Sequence, residues 1–112
     1  MQLTYDDWRA RASQMTFRDK AFINGQFVAA QSGETFDSIN PATGEVLAQV
    51  ASCDAADVDR AVAAARAAFD AGHWSRSDPG HRKAVLLKLA DLIRDNLAEF
   101  ALLDSLDMGK LV

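Results

Sequence analysis

The stretch Val85-Leu86-Leu87-Lys88-Leu89-Ala90-Asp91-Leu92-Ile93, continued through Leu97, Phe100, Leu103 and Leu106, decides how this chain folds. Its apolar residues recur at intervals of three and four, the period of an α-helix with one broad apolar face. Asp78 is a good N-cap. Pro79 follows at the first helical position, where its missing N–H does no harm. Gly109 is a plausible stop. The spacing predicts one helix of roughly 25 to 30 residues. A stripe this broad needs a large apolar surface to pack on.

Upstream lies a second helical pattern, from Asp54 to about Ala71. Asp54 and Asp57 stand near its positive N-terminal end. Val58, Ala61, Val62, Ala65 and Phe69 share one face, and Gly72 is a C-cap candidate. The linker His73-Trp74-Ser75-Arg76-Ser77 joins the two helices.

Before the helices the pattern is β-rich. Ala21-Phe22-Ile23 and Phe27-Val28-Ala29 flank Asn24-Gly25-Gln26, and Asn-Gly is a strong hairpin signal because the tight turn needs positive φ. Ser32-Gly33-Glu34 is a second turn. Thr35 to Ile39 alternates as a strand. Asn40-Pro41-Ala42-Thr43-Gly44 is a turn, and Val46 to Val50 is a fourth strand. Short strands joined by tight turns are expected to be antiparallel. At the N-terminus a helix is predicted over Tyr5 to Met15. Thr4 is its N-cap, with Asp7 completing a capping-box-like pair and Leu3 and Trp8 set as a hydrophobic staple. Trp8, Ala12 and Met15 form a narrow stripe.

The chain has 112 residues, enough for one domain. Apolar residues make up 49% and charged residues 25%, a globular balance. A compact domain of this size buries roughly two-thirds of its unfolded surface. The net charge is -4, so the basic face that nucleic-acid binding needs is absent. No apolar run approaches the ~20 residues that span a bilayer, and the N-terminus has no signal-peptide core. Cys53 is the one cysteine, which fits a reducing compartment. These features point to a cytoplasmic protein without nucleic-acid or membrane partners.

Several motifs stand in a recognisable order. They are Phe22-Ile23-Asn24-Gly25-Gln26-Phe27, Asn40-Pro41-Ala42-Thr43-Gly44-Glu45-Val46-Leu47 and Asp57-Val58-Asp59-Arg60-Ala61-Val62. Ala64 to Phe69, Trp74, Arg82, Leu89 to Ile93 and Leu106-Asp107-Met108-Gly109-Lys110 follow. In this order they resemble the N-terminal segment of the NAD(P)-dependent aldehyde dehydrogenase superfamily, over about Lys20 to Lys110. With the amphipathic extension from Leu3 to Arg18, the likeness is greatest to the bacterial γ-glutamyl-γ-aminobutyraldehyde dehydrogenase branch, whose members act in putrescine and polyamine breakdown. The fold implied is an α+β fragment of the α/β aldehyde dehydrogenase fold. It has an N-terminal helix, about four short antiparallel strands and two long amphipathic helices. Residues 1–19 are expected to form the extension and residues 20–112 an incomplete dinucleotide-binding domain.

The resemblance also implies what to look for and does not supply it here. The family's chemistry needs a nucleophilic thiolate, a general base, oxyanion donors and a dinucleotide site, and all of these come from later positions. The family continues after Gly-Lys with proline and several hundred residues, whereas here Leu111 and Val112 follow. The expectation is a truncated portion that is inactive alone, binds no NAD or NADP itself, and partners the rest of a dehydrogenase or its subunits. The alternative is a stand-alone module binding itself or a full-length dehydrogenase subunit through exposed apolar helix faces. A third possibility is a non-functional decay product.

Cys53 is rejected as a nucleophile. Asp54 and Asp57 oppose thiolate formation, no histidine is near in sequence, and the position does not match the family's nucleophile. His73 and His81 fit no common zinc spacing. The scattered glycines form no G-x-G-x-x-G cradle. One minor site is implied by the resemblance: a structural sodium or potassium ion held by the backbone carbonyls of Ser38 and Ile39 and the Asp107 carboxylate, completed in the family by a later residue. Oxygen ligands suit such a cation, and the competing reading of Asp107 is a helix-end residue that is solvated or bonded to a nearby backbone N–H.

Overall fold

The computed structural model describes residues 3–111. The elements are α1 (Tyr5–Gln14), β1 (Ala21–Ile23), β2 (Gln26–Val28), β3 (Thr35–Ile39), β4 (Val46–Ala51), α2 (Ala55–Ala71), α3 (Pro79–Asp95) and α4 (Leu97–Met108). The strands form two separate antiparallel hairpins, β1–β2 and β3–β4. The expected α+β pattern is present.

The first hairpin turns on two residues only. Asn24 (φ 51°) and Gly25 (φ 75°) both take positive φ, so Ile23 faces Gln26 directly and Phe22 faces Phe27. The second strand therefore starts at Gln26, one residue earlier than the sequence suggested, because a two-residue turn leaves no room for Gln26 in the loop. In the second hairpin the Asn40 side chain accepts from the Ala42 N–H (2.9 Å), and the Asn40 carbonyl accepts from Gly44 (2.8 Å). Pairing skips Leu47, so a bulge lies opposite Ser38 and Ile39.

The helix ends follow the sequence closely. Thr4 and Asp7 form a reciprocal capping box on α1, and Asp54 and Asp57 do the same on α2. Gly72 and Gly109 end α2 and α4 in the left-handed conformation. Asp78 caps α3 through the Gly80 N–H (2.7 Å).

The long C-terminal helix is not continuous. It divides at Asn96, which adopts φ −109° and ψ 17°. The Asn96 side-chain amide donates to the Leu92 carbonyl (2.8 Å) and competes with the helical ladder. The Asn96 carbonyl then starts α4 by accepting from Glu99 and Phe100. The apolar period continues across Asn96, so periodicity alone does not show the break.

The molecule departs furthest from expectation in burial. Its accessible surface is 8823 Å², against roughly 6,000 Å² for a compact monomer of its mass. An unfolded chain of this mass exposes roughly 17,700 Å², so only about half is buried, not two-thirds. The radius of gyration is 17.8 Å, against about 13 Å for a compact chain of this length. Among the described residues, the buried apolar side chains are Ala30 and Leu102. Val58, Val62 and Phe69 on α2 are exposed, as are Leu86, Leu89, Leu92 and Ile93 on α3. The helix faces that the sequence marks as apolar are thus the faces left open.

Candidate functional site

The residue pair with the clearest chemical meaning joins β3 to the end of α4. Ser38 Oγ donates to Asp107 Oδ1 at 2.7 Å, across 69 positions of sequence. The bulge between Ser38 and Ile39 interrupts the ladder at this point. Asp107 lies in the last turn of α4, where the helix's own carbonyls carry partial negative charge. A carboxylate there is an unfavourable choice for helix stability alone. The structure thus brings together two of the three residues expected to hold an ion, Ser38 and Asp107, and Ile39 follows Ser38 in the strand. Asp107 is exposed, and its partner is the Ser38 hydroxyl, not the backbone N–H of the competing reading.

Both Ser38 and Asp107 line an open groove of about 880 Å³. Its floor is apolar, with Phe27, Val50, Phe100 and Leu103, and Arg18, Lys20 and Glu99 stand among its polar lining residues. The Arg18 guanidinium lies 4.6 Å from the Phe27 ring centre, and Phe27 packs on Phe22 at 5.0 Å. Arg18 thus fixes the segment before β1 against the first hairpin through a cation–π contact.

The other singled-out residues do not converge. Cys53 is exposed. His81 meets Trp74 edge-on, with ring centres 6.4 Å apart. Among the described residues, no group of three or more His, Cys, Asp or Glu side chains is placed to hold a metal ion.

One residue matters more than the sequence showed. Asp57 is 1% exposed. Both of its carboxylate oxygens accept from the Gln31 N–H at 3.1 Å, and Oδ2 also accepts from the Asp54 N–H at 3.3 Å. Arg60 lies 3.4 Å from Oδ1. From sequence it stood near the positive end of α2, and its part in the capping box comes from the structure. Its hold on Gln31, 26 residues away, carried no local signal.

Against known proteins, the profile of the aldehyde dehydrogenase family matches residues 27–112. The chain belongs to that family. It is 51% identical over 108 residues to the aminoacetaldehyde dehydrogenase of Pseudomonas aeruginosa, covering 96% of this chain and 22% of that protein. The indole-3-acetaldehyde dehydrogenase of P. syringae in complex with NAD+ superposes with a TM-score of 0.94 at 53% identity, over 96% of this chain and 22% of the other. The γ-glutamyl-γ-aminobutyraldehyde dehydrogenase of Burkholderia cenocepacia gives a TM-score of 0.91 at 50% identity, over 93% and 21%. This aldehyde dehydrogenase segment therefore spans about a fifth of the relatives' length. The second hairpin, Ser38 and Asp107 all lie inside the matched region.

Proposed function

We propose that this chain supplies the N-terminal portion of an NAD(P)-dependent aldehyde dehydrogenase subunit. The whole subunit would oxidise an aldehyde to a carboxylic acid, the hydride passing to the nicotinamide. Residues 1–19 serve as an N-terminal arm, and residues 20–112 as part of the dinucleotide-binding domain. The observation that carries this reading is the uncovered apolar face of α2 and α3 in a chain spanning a fifth of its relatives. Such a face is larger than soluble monomers ordinarily expose, and a further layer of the same fold would cover it.

The 112 residues by themselves are proposed to be inactive. The described strands are antiparallel hairpins, so they form no parallel β–α–β unit of the kind that brings a pyrophosphate to a helix N-terminus. The rest of the dinucleotide site, the nucleophile and the general base would come from the remaining four-fifths. In the whole subunit, Ser38, Ile39 and Asp107 would contribute oxygen ligands to a structural sodium or potassium ion. The similarity to γ-glutamyl-γ-aminobutyraldehyde dehydrogenase supports a role in polyamine breakdown, and the single cysteine supports a cytoplasmic setting.

The test is complementation. The isolated chain is expected to reduce no nicotinamide with any aldehyde. Refolded with the P. aeruginosa relative lacking its matched N-terminal fifth, it should restore aldehyde oxidation that neither piece shows alone. Activity of the isolated chain, or no binding between the pieces, would overturn the proposal. The polyamine role is read from the whole subunit, where faster turnover of indole-3-acetaldehyde than of γ-glutamyl-aminobutyraldehyde would count against it.

The exposed stripe on α2 and α3 also supports a second reading, a module that binds its own copy or a full-length dehydrogenase subunit. Size-exclusion chromatography with light scattering separates the two. A discrete, stable dimer favours the module, whereas a monomer that pairs only with the missing four-fifths favours the subunit portion.

A further inference from the structure

We draw no further inference here: the strongest candidate, the open groove between β4 and α4 lined in part by Arg18, Lys20 and Glu99, contains the Ser38–Asp107 pair already described, and nothing in the structure shows what covers it.

Discussion

Asp57 does more than cap the first turn of α2. It is the buried carboxylate that fastens the chain leaving the first hairpin to the helix, through the Gln31 and Asp54 amides. Asp57→Ala leaves those donors without their partner, and bonds to a charged acceptor are worth about 1.5–3 kcal/mol. The expected result is a loss of about 2 kcal/mol in urea denaturation and faster hydrogen exchange at the Gln31 amide. Asp57→Asn keeps one acceptor oxygen and should fall between the two. Asp7 offers a pH test. Hydrogen bonds from the Thr4 side chain, then from the Thr4 backbone N–H, hold its carboxyl below the ordinary 3.8. A lowered native value means that the capping box stabilises α1 fully only above the ordinary 3.8. The contribution is lost as pH falls through the native value. Thr4→Ala should move the Asp7 titration, followed by NMR, up toward 3.8; an unmoved midpoint would sink this account. At Asp107, the proposed ion predicts that sodium or potassium raises the Tm of the complemented subunit and that Asp107→Asn removes the rise.

At the scale of elements, ends were legible and continuity was not. Capping depends on residue types within a few positions, so Thr4, Asp78, Gly72 and Gly109 mark their helices from sequence alone. The Asn96 break and the one-residue shift of β2 turn on hydrogen bonds that the apolar pattern does not encode. Gly72 carries the most exposed prediction of this class. Its φ is 77°, and an added Cβ would meet the Arg76 guanidinium, which donates to the Asp70 carbonyl at 2.6 Å. Gly72→Ala combines left-handed strain of about 1–2 kcal/mol with displacement of that contact. Thermal unfolding followed by circular dichroism should show a lowered Tm; an unchanged one would mean that α2 ends differently in solution.

For the whole molecule, the decisive quantity is the surface left open. Val62 on α2 is 61% exposed and Leu89 on α3 is 51% exposed, yet both belong to stripes whose spacing marks them for burial. The isolated chain should bind a hydrophobic dye such as ANS strongly. Replacing both residues with aspartate should reduce dye binding and at the same time abolish complementation by the missing four-fifths. If complementation survived the double change, these faces would not be the covered ones.

From sequence alone came the helix and strand types, the turns, the caps and the family. All of these rest on local chemistry or on residues in a fixed order. Tertiary structure alone decided that Asp57 reaches Gln31 and that the Ser38 hydroxyl is what bonds Asp107. The open apolar stripes of α2 and α3 were expected from the sequence, and the structure set how far they lie open. Periodicity states which face a helix must hide, but only the arrangement of the other elements determines whether anything is there to hide it.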